Sequence, residues 1–250
     1  MRPFFTLARR ELAGYFMSLT GYIILAAALF LIGFSFVVLL VNLQQEPTPM
    51  PVTEIFYMTQ FFWLILLLAT PAITMRLFAL EKFSGTFETL MTAPVSELQV
   101  VLAKFSAALL FYIVMWLPLL GCLAIVRHYT NDTAPIDLGV IGGTYLGIIL
   151  LGALFISLGG CASALSRSQV TAAIISLAFG ASLFLLGWLA YQLPAQTNWQ
   201  TQVLSYLNFF EHMHDFARGV VDTRPVVLLV SFTLFFLFLT LRIVESRRWK

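Results

Sequence analysis

Charge is scarce in this sequence. Of 250 residues only 14 are Lys or Arg and 12 are Asp or Glu, while 60% are hydrophobic. A water-soluble domain carries charge on about a quarter of its residues. The shortage therefore excludes an ordinary soluble fold and leaves lipid as the solvent of most of the surface. A net charge of +2 gives no basic field for nucleic acid. Cysteine is equally thin: Cys122 and Cys161 both sit in apolar runs and read as buried thiols, not as a disulfide or a metal pair. There is no Gly-x-x-x-x-Gly-Lys-[Ser/Thr] run, hence no nest of backbone amides with a lysine to cradle nucleotide phosphates. The absence of His-Glu-x-x-His removes the ligands of a zinc-dependent intramembrane protease. No internal repeat or low-complexity segment is visible.

What the chain has is apolar length. A hydrocarbon core of about 30 Å needs about 20 helical residues, and six stretches reach or approach this, roughly 21–41, 57–78, 105–126, 138–165, 170–191 and 226–243. The first is long enough to span and lacks a small-residue cleavage site, so a cleavable leader is not expected. Pro71 and Pro118 fall inside the second and third stretches, where kinks are expected and neighbouring helices can satisfy the freed carbonyls. An even number of spans puts both termini on one side. That side collects Arg2, Arg9, Arg10, Arg76, Lys82, Lys104, Arg167, Arg242, Arg247, Arg248 and Lys250, against Arg127, Arg218 and Arg224 on the other. Eleven against three makes both termini cytoplasmic. Span interiors hold Thr59, Gln60, Thr70, Thr74, Ser106, Ser157, Thr171 and Ser176 but no Asp, Glu, Lys or His. Ion-coupled carriers need intramembrane charge, so a secondary transporter is disfavoured.

Four polar or patterned segments stand out from this background. In residues 2–19, Phe4, Ala8, Leu12 and Tyr15 share one helical face with Phe5 and Phe16 beside them, and Thr6, Arg9 and Arg10 lie opposite. This is an amphipathic helix suited to lying in the cytoplasmic interface. Between the second and third spans, residues 81–95 read EKFSGTFETLMTAPV. Gly85 allows a turn, Pro94 stops a helix, and residues 86–92 between them suit one or two helical turns with Glu88 near the positive end. On the outer side, Val203, Leu207, Phe210, His214 and Ala217 recur at helical spacing within 192–224, predicting a short helix at the outer interface. Gly139, Gly143 and Gly147 form a small-residue ridge on the fourth span, and Ala172, Ser176 and Gly180 another on the fifth. Both suit close helix approach, within the chain before between subunits. His212 and His214 are two residues apart, so on a helix they point to different sides and no metal site is expected.

Glu81-x-x-Ser84-Gly85-Thr86-x-Glu88-x-Leu90, Ala93-Pro94-Val95 and Lys104 resemble the cytoplasmic loop of ABC-2 type transporter permeases. The amphipathic start resembles the elbow helix of that family. Residues 163–169, SALSRSQ, resemble the turn between its fourth and fifth spans, and residues 204–221, ending in Arg218-Gly219-Val220, resemble its outer helix-rich loop. The Leu-Ser-Tyr-Leu-Asn…His…Phe-Ala-Arg-Gly-Val run is similar to the gliding-motility-associated branch. The resemblance implies an all-α membrane protein: one transmembrane domain over 1–250, with six spans, an elbow helix (1–20), a coupling-helix region (81–96), an extracytoplasmic loop and helix (192–224), and a type V exporter-like permease fold. Glu81, Gly85, Thr86, Glu88 and Pro94 would engage a cytoplasmic ABC ATPase, with Glu81 pairing to a basic residue there. Arg9 and Arg10 would mark the elbow, and Phe210, His214, Arg218 and Gly219 the outer loop.

The implied function is that of a non-catalytic permease subunit of an ATP-driven exporter in a bacterial plasma membrane, moving an amphiphilic, lipid-linked or polymeric substrate. Its implied partners are two ATPase copies, which bind the ATP and magnesium, a second permease subunit, membrane lipids and an extracytoplasmic auxiliary subunit. Two other readings share the topology: a mechanical subunit driving an outer partner, and a haem-export-like permease of cytochrome maturation.

Overall fold

The computed structural model describes residues 2–45, 56, 59–87, 95–130, 138–192 and 206–246. Among these, ten helices follow one another: α1 (Arg2–Phe16), α2 (Leu19–Gln45), α3 (Gln60–Thr74), α4 (Ala79–Ser84), α5 (Glu97–Trp116), α6 (Pro118–Thr130), α7 (Leu138–Leu165), α8 (Gln169–Gln192), α9 (Phe209–Ala217) and α10 (Thr223–Ser246). Among the described residues six helical stretches are long and apolar enough to cross a membrane: Leu19–Val41, Gln60–Ser84, Glu97–Ile125, Gly139–Leu165, Gln169–Gln192 and Thr223–Ser246. The number and order are those read from the sequence. The second span runs six residues further, to Ser84, and the third starts eight earlier, at Glu97. Apolar length alone stops at the first charged residues, whereas the helices continue through them.

That extension corrects one expectation. Lys104 and Glu81, placed outside the spans by hydropathy, lie within helices that continue them and are largely buried. Four of the hydroxyls deeper in the spans behave as an apolar interior requires. Thr70 and Thr74 donate to the carbonyls of Leu66 and Thr70 (2.7 and 2.8 Å), and Ser106 and Ser157 to those of Leu102 and Leu154 (both 2.7 Å). Each hydroxyl thus satisfies itself on its own helix instead of lining an ion path.

Pro118 does break the third span. Helix α5 stops at Trp116 and α6 starts at the proline. Around the break the ladder tightens to Leu117 N–Val114 O (3.2 Å) and Leu120 N–Leu117 O (3.0 Å). The Trp116 carbonyl thereby loses the amide four residues on, and the Tyr145 hydroxyl of α7 donates to it at 2.9 Å. A neighbouring helix satisfies the freed group, as a break at membrane depth demands. Tyr145→Phe is expected to lower stability by about 1 kcal/mol, read as a small fall in the thermal unfolding midpoint of the purified protein.

The core is organised around α7. Within the protein 72% of its spanning window is buried, against 11% for α10. A helix apolar on every side suits such a position. Close approach is possible because it presents glycine where neighbours are bulky. A Cβ on Gly152 would meet the Tyr112 ring at 2.1 Å, and one on Gly159 would meet Thr74 Oγ1 at 2.1 Å and Ser176 Oγ at 2.8 Å. The ridge expected on the fifth span is likewise internal, with Ala172, Ser176 and Gly180 all buried.

Helix α1 is a separate element, not the start of α2. The chain turns at Met17 and Ser18, and the Ser18 hydroxyl accepts from Gly21 N at 3.1 Å as the N-cap of α2. Tyr15 stacks on Phe111 of α5 (4.8 Å, 20°) and Phe16 meets the same ring edge-on. Arg9 and Arg10 are exposed on the far side. The buried stripe is Leu7 and Tyr15 with Glu11 between them. It therefore includes a carboxylate that the apolar face alone does not reveal.

Candidate functional site

Helices α1 and α4, the start of α5 and the end of α7 meet at one end of the bundle, and a buried ion cluster joins three of them. Lys104 Nζ of α5 lies 3.1 Å from Glu11 Oε1 of α1 and 2.8 Å from Glu81 Oε1 of α4. The side chains are 2, 16 and 12% exposed respectively. The ammonium also lies 5.6 Å from the centre of the Phe78 ring, a further favourable contact for a desolvated cation. Two carboxylates share one cation, so the cluster carries a formal charge of −1. Glu81 Oε2 is buried and has no hydrogen-bond partner among the described residues. Burial at this low dielectric makes the pairs strongly interdependent: removing one member strands another.

Helix α4 is short, six residues, and ends at Gly85 with φ +74°, the left-handed conformation that favours glycine at a helix C-terminus. Beyond the turn Thr86 is exposed, its hydroxyl 2.8 Å from that of Ser84. Lys82 donates to the Ala164 carbonyl at the end of α7 and lies 5.4 Å from the Phe87 ring centre. Phe83 points outward, 78% exposed. Of the residues expected to engage an ATPase, Glu81 thus turns partly inward onto Lys104, while Gly85 and Thr86 are presented at the surface. Glu88 and Pro94 lie outside the described residues.

Helix α9 sits at the opposite end of the bundle. Asn208 caps it, accepting from Glu211 N at 3.2 Å and donating through Nδ2 to Glu211 Oε2 at 2.9 Å, a reciprocal arrangement like a capping box. Its inward face is Phe209, Met213, Phe216 and Ala217, all buried. Val203 lies outside the described residues. Phe210 packs on Trp63 of α3 (4.3 Å), Phe184 (5.3 Å) and Tyr191 (5.8 Å) of α8. His214 is partly buried in the last turn, and its carbonyl accepts from Arg218 N at 3.1 Å. Arg218 is exposed. Gly219 has φ +79°, and Val220 N reaches back to Asp215 O at 2.9 Å, closing the helix with the long bond of a Schellman-type turn.

The glycine ridge of α7 is the seat of α9. A Cβ on Gly143 would lie 2.7 Å from the Phe216 carbonyl oxygen and 3.1 Å from Gly219 Cα; one on Gly147 would lie 2.9 Å from Met213 Sδ. Gly139, at the start of α7, is exposed. Gly143 and Gly147 thus pack within the chain, against α9 and the turn that follows it.

Glu11 and Phe83 were not singled out by sequence reasoning. For Glu11 a signal existed: a carboxylate at i+4 from Leu7 and i−4 from Tyr15, on an otherwise apolar stripe, requires a buried cation. Burial and the neighbouring Glu11 raise the Tyr15 phenol far above its ordinary value, with Arg76 opposing, so its hydroxyl stays a donor.

No curated protein matches the chain. Residues 43–245 match the family described as ABC-2 family transporter protein. Six spans, the polar insert between the second and third, and this match over most of the length agree: the chain belongs to the ABC-2 transporter family and is a multi-pass membrane permease component of an ABC transporter.

Proposed function

We propose that this chain is the permease of an ATP-driven exporter and that residues 81–96 form the element through which a cytoplasmic ABC ATPase drives it. The observation that carries this reading is the buried Glu11–Lys104–Glu81 cluster. It ties the segment leading into residues 81–96 both to α1 and to the third span. A push on α4 would therefore move two further elements as one body, which a floppy solvated loop would not do. Both termini lie on the ATPase side, in a bacterial plasma membrane. Two ATPase copies and a second permease subunit complete the assembly, and the apolar bundle suits an amphiphilic, lipid-linked or polymeric substrate.

The surface offered to the ATPase includes Phe83, Gly85 and Thr86, all exposed. The formal negative charge of the cluster just beneath this surface suits a cationic side chain of the partner. The test is capture of an ABC ATPase from the membranes of the native host. Phe83→Asp changes an exposed side chain and should leave the fold intact. It is expected to lower the captured ATPase by about tenfold or more, the effect of removing a buried interface anchor. Glu81→Arg is expected to abolish capture and also loosen α1, since it places a second cation against Lys104. An inserted Phe83→Asp protein that holds as much ATPase as the native one would refute the docking surface, and a native protein that holds none would refute the coupling reading.

A further inference from the structure

The second span is interrupted, and the interruption is built. Helix α3 ends at Thr74, α4 begins at Ala79, and the backbone between keeps only Met75 N–Pro71 O (2.9 Å) and Leu77 N–Thr74 O (3.1 Å) before Lys82 N–Phe78 O (3.1 Å) opens α4. Phe78 itself has φ −124° and ψ −33°. The groups left over are taken by side chains from elsewhere. Ser163 Oγ of α7 accepts from Phe78 N at 3.0 Å and Ala79 N at 3.1 Å, and donates to Met75 O at 3.3 Å. Tyr15 of α1 donates to Ile73 O at 2.9 Å, and Arg76 reaches the Thr20 hydroxyl of α2.

A serine hydroxyl has one proton and two lone pairs, and Ser163 uses all three on this one break while fully buried. It acts as the N-cap of α4 supplied by another helix. One residue on, the Ala164 carbonyl takes Lys82. Helix α4 therefore leaves the second span at an angle set by the end of the fourth, with no helical ladder to break when that angle changes.

We propose that the second span is jointed at Met75–Phe78 and that Ser163 is the positioning residue that fixes the direction of α4. The use of this joint in coupling rests on the function proposed above; the joint itself does not. Backbone hydrogen exchange in the purified permease reads it directly. In Ser163→Ala, exchange of the Phe78 and Ala79 amides is expected to rise about tenfold, the loss of a buried hydrogen bond, and Ser163→Thr, which keeps the hydroxyl, is expected to stay near native. Lys82→Met, a change at the edge of the same contact, is expected to speed exchange in 79–84 without affecting 60–70. Unchanged exchange at 78–84 in Ser163→Ala and Lys82→Met alike overturns the joint, and Lys82→Met alone decides it if Ser163→Ala does not fold.

In the complex with a captured ATPase, nucleotide is expected to alter exchange in both 79–84 and 153–165 of the native protein, but only in 79–84 of Ser163→Ala. Equal transmission in the two proteins overturns the positioning role. A native protein that captures no ATPase defeats the coupling reading while the exchange of the permease alone still decides the joint.

Discussion

Lys104→Met is expected to destabilise the protein by about 3–5 kcal/mol, the cost of removing one partner from a buried ion cluster. The methionine fills nearly the same volume, so packing is not the cause. Two carboxylates, Glu11 and Glu81, are left facing each other beside α5 with no cation between them. The loss is measured as a fall in the thermal unfolding midpoint in detergent, together with faster proteolysis of α1. A charge-neutral triple variant, Lys104→Met with Glu11→Gln and Glu81→Gln, is expected to recover most of that stability, because apolar or neutral replacements of a whole buried cluster are well tolerated. Recovery would assign the loss to unpaired charge. A triple variant no better than Lys104→Met would show that the lysine acts through its packing on Phe78 instead.

Gly143→Val is expected to unseat α9. Its Cβ would fall 2.7 Å from a backbone oxygen of Phe216 and 3.1 Å from Gly219 Cα, and backbone cannot swing aside as a side-chain tip can. Gly219 cannot yield either: it is held in the left-handed region and abuts Val140. Overpacking of this kind costs about 1–3 kcal/mol, all of it at the contact between α7 and α9. A cysteine in place of Met213, a residue only 1% exposed, reports the result. Its modification by a water-soluble maleimide is expected to speed up by roughly tenfold or more in the Gly143→Val background as local opening becomes easier. Gly142→Val is the control, since nothing lies within 4 Å of a Cβ there, and it is expected to leave the rate unchanged.

The sequence showed the spans because lipid imposes length and hydropathy on them, and those are one-dimensional quantities. It showed α9 and the glycine ridge for a similar reason: helical spacing predicts a face. It did not show which face meets which. Of the predicted periodic set Ala217 is buried but Phe210 and His214 are only partly so, and Phe209, Met213 and Phe216 bury instead, because the capping of Asn208 and the approach of Gly143 fix the rotation of α9. Glu81 was legible as a motif residue and Lys104 as its companion, but their pairing needs α4 and α5 folded back on each other. Ser163 was legible only as the first residue of the SALSRSQ turn. Its three hydrogen bonds reach residues 84 to 88 positions away, a distance no local pattern records.

The central place of α7 bears on how the chain is made. Its main neighbour is α10, which leaves the ribosome some sixty residues after α7 is complete. The fourth span is thus inserted well before the partner that covers it exists. It can wait because it is apolar all round, and because acyl chains can stand where α10 will later lie. Gly152 meets Tyr112 of the earlier α5, whereas Gly147 and Gly143 wait for Met213 and Phe216 of α9. A chain cut short before α10 would leave its most buried helix facing the bilayer on that side.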